Sequence, residues 1–256
     1  MIKQKKKGSW LTINKVIAHR GWSGCAPENT MAAFKKALEF KKVYGIELDV
    51  HLSKDGVPVV IHDFTLKRTT GIDGFVKDYY YEELKQLDAG SWFDEKFAGE
   101  KIPTLEEVIR LTCAMRDDFM LNIEVKTIAD MYKGIDAKIY DLIEEYGIHD
   151  KAYITSFEHH FIKRAKKSYP RLKTGLIVVG NLLLLKEQLK CADADMLSIH
   201  YAYITYDTLL TAQKMGIKLM AWTIDEESMI KRTADFSKEI IICSNCPDKV
   251  LKCFRK

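Results

Sequence analysis

Apolar positions along the chain follow two alternating rhythms. Short runs rich in Val, Ile, Leu and Met occupy positions 15–18, 46–50, 119–125, 152–156, 173–179, 196–199, 218–224 and 239–243. Runs of this length between polar turns read as buried strands. Between them the apolar residues recur at helical spacing. Met31, Phe34, Leu38 and Val43 form the first such stretch, with Asn29 or Thr30 as its N-cap. Thr104 and Glu107 form a capping box for a helix through 115. Further helices are expected over 130–146, 159–168, 182–190, 206–215, 226–234 and 248–254. A strand followed by a helix, repeated eight times in 256 residues, implies a parallel sheet closed on itself. The expected fold is therefore α/β, a (β/α)8 TIM barrel forming a single domain over 1–256. One stretch breaks the rhythm. Positions 64–101 are rich in Gly, Asp, Lys and aromatic residues. A structureless loop of that length is rare in a compact domain, so a small insertion after the second strand is expected, with one short helix near 81–87.

The second strand carries the first sign of chemistry. Side chains alternate along a strand, so Glu47 and Asp49 share one face, with His51 next in line, while Ile46, Leu48 and Val50 take the other. Burying two like charges costs several kcal/mol each unless they are paired or metal-bound. After the turn Lys54-Asp55-Gly56, a second extended run, 57–61, ends in His62-Asp63. Two carboxylates with a histidine nearby suit a hard cation beside an acid/base group. An exposed strand face with a surface histidine would read the same way, and this stretch alone permits both.

The barrel adds a constraint. Sites in such folds lie at the C-terminal ends of the strands. His19 and Arg20 end the first strand, Glu124 and Lys126 close the third, and Trp222 lies late in the seventh. Polar residues selected by their chemistry thus fall on one rim. Glu47, Asp49 and Glu124 offer three anionic oxygen donors, suited to Mg²⁺ or Ca²⁺ rather than zinc. Arg20 and Lys126 are cations fit to hold an anionic group, and His19 and His62 are fit to move protons near neutral pH. Each has a plainer reading: a structural histidine, a cross-strand Glu124–Lys126 ion pair, a core tryptophan. His51 and His200 are secondary candidates for the rim, and His149, His159 and His160 are read as surface residues.

Composition narrows the class of partner. Hydrophobic residues make up 47% of the chain and charged residues 30%, as in a soluble globular protein. A net charge of +4 permits anionic substrates without indicating nucleic acid. The basic cluster Lys3, Lys5, Lys6 and Lys7 reads as a solvated tail. The longest leucine run, 182–185, is far too short to cross a membrane. The cytoplasm is the expected location, and the oligomeric state is open. The six cysteines read as reduced thiols. Cys243 and Cys246 form a CxxC without further zinc ligands nearby, though Cys246-Pro247 opens a helix whose N-terminus would lower the thiol pKa.

Five motifs occur in order: His19-Arg20-Gly21, Pro27-Glu28-Asn29-Thr30, Glu47-Leu48-Asp49-Val50, the run from Lys54 to Asp63, and Asn122-Ile123-Glu124-Val125-Lys126. Together they resemble the glycerophosphodiester phosphodiesterase family. The resemblance implies two catalytic histidines, His19 and His62, and one divalent cation held by Glu47, Asp49 and Glu124. It further implies hydrolysis of a small-molecule glycerophosphodiester to sn-glycerol 3-phosphate and an alcohol. Trp222 matches the family's pocket-lining tryptophan. One position departs from the pattern: Ser244-Asn245-Cys246-Pro247 stands where the family carries Thr-Asp, so any role of that acid at the rim is expected to weaken. Two alternatives keep the fold: a lysophospholipase D-type hydrolase, which an apolar groove beside the pocket would favour, and a non-enzymatic glycerophosphate-binding barrel, against which the full set of acids and histidines speaks.

Overall fold

A computed structural model describes residues 13–254. The basic cluster at Lys3–Lys7 lies outside the described residues. The strands are β1 (Val16–Ala18), β2 (Gly45–Leu52), β3 (Pro58–Val60), β4 (Met120–Val125), β5 (Ala152–Ser156), β6 (Lys173–Val178), β7 (Met196–His200), β8 (Lys218–Trp222) and β9 (Ile241–Ser244). Eight of them are parallel and close into a barrel in the order β1, β2, β4 to β9; β1 pairs with both β2 and β9. The remaining strand, β3, runs antiparallel to β2, with Val50 opposite Val60 and His51 opposite Val59. This hairpin carries His62 back toward the barrel mouth.

Helices cover the outside: α1 (Met31–Glu39), α4 (Leu105–Met115), α5 (Ile135–Glu145), α6 (His159–Ser168), α7 (Leu185–Ala192), α8 (Tyr206–Met215), α9 (Glu227–Phe236) and α10 (Pro247–Cys253); the short α2 (Lys67–Thr70) and α3 (Tyr81–Leu84) belong to the insertion. Outward-facing Ile46, Leu48 and Val50 of β2 join Phe34, Leu38, Val108 and Ile139 in the layer between barrel and helices. The barrel floor is a separate apolar cluster, including Ile17, Met120, Met196, Met220 and Cys243. Gly45 permits β2 to approach β4: a Cβ there would lie 2.0 Å from the Met120 carbonyl oxygen.

Several boundaries differ from the sequence reading, each for a local reason. Helix α1 ends at Glu39, and Val43 is buried beyond a turn. Its cap is Thr30, whose hydroxyl accepts from Ala33 N–H; Asn29 serves elsewhere. Helix α5 starts at Ile135 because Gly134 takes a left-handed φ of 77°, and α7 starts at Leu185 after Leu184 does the same. The 64–101 stretch holds four short helical turns, at Lys67–Thr70, Val76–Asp78, Tyr81–Leu84 and Glu95–Phe97, rather than one helix. Its own small core includes Val59, Leu66, Val76, Leu84 and Ile102. Among the described residues no helix is long and apolar enough to cross a membrane.

Candidate active site

Glu47, Asp49 and Glu124 converge inside the barrel mouth. Asp49 lies opposite Glu124 in the β2–β4 register, and Glu47 is two residues before Asp49 on the same face. All three are buried, and each offers an oxygen within 4.8 Å of the others. Burial and the neighbouring Asp49 and Glu124 hold the Glu47 carboxyl well above its usual range. Burial likewise raises Glu124, against the pull of Lys126. Asp49 goes the other way: burial opposes its ionisation, but Lys126 and Arg20 outweigh it. Lys126 Nζ lies 3.0 Å from Asp49 Oδ1 and also contacts Glu124. Arg20 Nε is 3.3 Å from Asp49 Oδ2, and its Nη1 is 2.9 Å from Glu28.

Backbone strain orients this cluster. Arg20 and Asn29 both take left-handed conformations, φ 54° and 57°, which non-glycine residues adopt at a cost of order 1–3 kcal/mol. The Arg20 turn aims its own N–H at Glu47 Oε2, 2.8 Å away. The Asn29 turn places its side-chain amide 2.8 Å from Asp49 Oδ2, while its oxygen accepts from Asp49 N–H. In the sequence Asn29 was legible as a capping candidate and as part of the Pro27–Thr30 motif, without a role in the site. Its αL conformation, which Asn tolerates better than most residues, puts it in the site.

His19 and His62 border the same cavity. His19 Nε2 is 3.8 Å from Glu47 Oε2, and its Nδ1 is 2.7 Å from Asn245 Oδ1. The amide orientation follows from charge. Asn245 Nδ2 is 2.7 Å from Asp225 Oδ2, and a carboxylate only accepts. The Asn245 oxygen must therefore face His19, so His19 Nδ1 carries the proton and Nε2 keeps its lone pair for the cavity. Asp225 is itself fixed by Ser244 Oγ and Asn245 N–H, each at 2.8 Å. Asn245 thus holds His19 at the rim through a neutral amide. Burial, reinforced by Arg20, lowers the His19 pKa to about 4.

His62 Nδ1 is 2.6 Å from Asp63 Oδ1. Arg68 holds Asp63 through Nε at 2.7 Å and Glu28 through both terminal nitrogens, and these contacts hold the Asp63 carboxyl at about 2. Burial is the largest influence on His62 and lowers it as well. His51 points away from the acids. Its Nδ1 lies 2.9 Å from the Tyr132 hydroxyl and its Nε2 3.1 Å from the His62 carbonyl, which makes it a brace for the His62 backbone. His200 reaches the rim by packing edge-on against Trp222, ring centroids 5.5 Å apart. Trp222 lines the mouth, and its Nε1 has no hydrogen-bond partner among the described residues. His149 is half-buried beside Glu144 rather than free on the surface.

The cysteines contribute no visible redox pair. Among the described residues all six are free. Burial pushes both the Cys243 and the Cys246 thiols up, against the lowering expected from the helix start.

The sequence profile of the glycerophosphoryl diester phosphodiesterase family matches residues 19–247. The chain belongs to this family. A glycerophosphodiester phosphodiesterase from Caldanaerobacter subterraneus subsp. tengcongensis is 43% identical over 241 residues, 94% of this chain and 98% of the relative. One from Bacillus altitudinis is 36% identical, covering 94% and 98%. Among solved structures, an Oleispira antarctica phosphodiesterase in complex with its product sn-glycerol-3-phosphate superposes with a TM-score of 0.87 at 32% identity, covering 94% of this chain and 96% of that one. The barrel mouth of this chain gathers Glu47, Asp49, Glu124, Arg20, Lys126, His19 and His62, all drawn from the five motifs.

Proposed function

We propose that the protein is a divalent-cation-dependent phosphodiesterase that splits glycerophosphodiesters into sn-glycerol 3-phosphate and an alcohol, with His19 and His62 transferring the protons. The observation that carries this reading is the convergence of three buried carboxylates within 4.8 Å, between two histidines from different strand ends.

The residues fit a cation on three counts. Three carboxylates, Glu47, Asp49 and Glu124, face only two cations, Arg20 and Lys126, which leaves a deficit of positive charge. Glu47 Oε1 is buried without a hydrogen-bond partner among the described residues. The donors are all oxygen, which favours Mg²⁺ or Ca²⁺. When bound, such an ion stabilises charge on a phosphoryl oxygen.

The chain's own residues account for the remaining chemistry. Arg20, Lys126 and the Trp222 N–H hold and orient the phosphate and its glycerol arm. His19, with its Nε2 lone pair facing the cavity, takes a proton from the attacking water as its oxygen forms the new P–O bond. His62 gives a proton to the other ester oxygen as its P–O bond breaks. A test is to follow glycerophosphocholine by ³¹P NMR with Mg²⁺, with Ca²⁺ and with excess EDTA. Glycerol 3-phosphate should form only with a cation, and Glu47→Gln should require much more of it. Undiminished hydrolysis in EDTA would defeat the metal assignment.

A further inference from the structure

Two connected hollows occupy the barrel mouth. The inner, about 160 Å³, is bordered by His19, Glu47, Asn122, Ser198 and Trp222 and floored by Met220 and Cys243. The outer, about 560 Å³, runs between residues 62–65 and 124–128, with Phe157 at its side. His62, Glu124, Lys126 and Phe157 border both. A phosphodiester has two arms. A phosphate beside Lys126 and Glu124 directs a small polyol inward, to the polar groups of the barrel, and the other arm outward past His62.

We propose that the outer hollow binds the departing alcohol and selects diesters in which that alcohol is uncharged and apolar. This rests on the phosphodiesterase reading above and adds the substrate class. The size suits a small organic group. Phe64, Val125, Ile128 and Phe157 supply its apolar wall. Both carboxylates at its border are already matched: Asp63 by His62 and Arg68, Glu124 by Lys126. A cationic head group would find no unmatched anion there among the described residues. It would instead meet the Lys126 ammonium, which sits over the Phe157 ring at 5.9 Å from the centroid. Beyond the hollow, apolar surface continues on the next mouth loop, where Val179, Leu183 and Leu184 are exposed. The same placement puts the leaving oxygen on the His62 side, so His62 is the group that protonates it.

The test is a series of sn-glycerol 3-phosphate esters of ethanol, butanol and hexanol, with glycerophosphocholine, all with Mg²⁺. The three alkanols leave with similar ease, so differences in kcat/KM report the hollow. Partial burial of each added methylene should raise kcat/KM roughly twofold, and the hexyl ester should exceed glycerophosphocholine by about tenfold or more. Ile128 is 59% exposed, so Ile128→Glu should leave the fold intact. It should cut the hexyl-over-choline ratio by about tenfold. A flat alkyl series, a parent enzyme that prefers choline, or a ratio unmoved in Ile128→Glu would each overturn the proposal. Calorimetric binding of non-hydrolysable hexyl and choline phosphonate analogues separates the two readings. A hexyl preference without turnover would support the hollow and count against the catalytic assignment, whereas equal binding would overturn the hollow itself.

Discussion

The two sides of the barrel mouth present the same side chain in different settings. His19 is 14% exposed and backed by a neutral amide, Asn245. His62 is 29% exposed and backed by a carboxylate, Asp63, itself shared with Arg68. Both partners fix the Nδ1 proton and turn Nε2 toward the cavity. Only the second adds a charge that favours imidazolium. The difference fits a division of labour in which His19 accepts a proton and His62 donates one. Asp225, one contact further out, sets the direction of the Asn245 amide without placing its own charge against His19.

The largest effects should come from removing either imidazole. His19→Ala and His62→Ala should each lower kcat on a glycerophosphodiester by about 10²–10⁴. Metal content, read by equilibrium dialysis, should hardly change, because neither ring is among the three acids. Smaller losses should separate the two sides. Asp63→Asn replaces a charged partner of His62 and should cost roughly tenfold to a hundredfold in kcat. Asn245→Ala removes a neutral one from His19 and should cost about threefold to tenfold. ¹⁵N NMR of the ring nitrogens should show the His19 tautomer loosened in Asn245→Ala and retained in Asp63→Asn. Equal losses in these two variants would erase the contrast between the sides.

The acids between the histidines make a prediction about stability. Glu47 and Glu124 have folded-state pKa values raised above the ordinary 4.5, by burial first and then by the charge of Asp49. From about pH 4.5 upward the folded protein therefore holds protons that the unfolded chain has released, and the stability these groups contribute falls as pH rises through their folded values. A cation that binds the ionised acids offsets that loss. The gain in Tm on adding Mg²⁺ or Ca²⁺ should thus be small at pH 5 and grow to several degrees by pH 8. A gain independent of pH would place the cation away from Glu47 and Glu124.

Much of this arrangement was legible in the sequence. Eight apolar runs separated by helical spacing gave the barrel, and position at strand ends put Glu47, Asp49, Glu124, Lys126, His19 and Trp222 on one rim. Both inferences depend on periodicity, which the chain carries locally. The supporting contacts do not. Asn245 meets His19 only because β9 closes against β1, across more than two hundred positions of sequence. Arg68 joins Glu28 to Asp63 only because the insertion folds back over the mouth. Asn29 reads as a cap until its left-handed φ is known. Helix starts at Ile135 and Leu185 were misplaced for a similar reason: the left-handed residues before them, Gly134 and Leu184, interrupt an apolar pattern that looks continuous.

The division of labour between the histidines is tested most directly by leaving-group dependence. The rates of the parent, His19→Ala and His62→Ala are compared on an alkyl ester of glycerol 3-phosphate and on its nitrophenyl counterpart, whose phenolate departs without a proton. The loss in His62→Ala should shrink by at least about tenfold on the nitrophenyl ester, while the loss in His19→Ala should persist. Rescue of His19→Ala instead would reverse the roles, and a loss below tenfold in both variants on the alkyl ester would contradict the two-histidine mechanism.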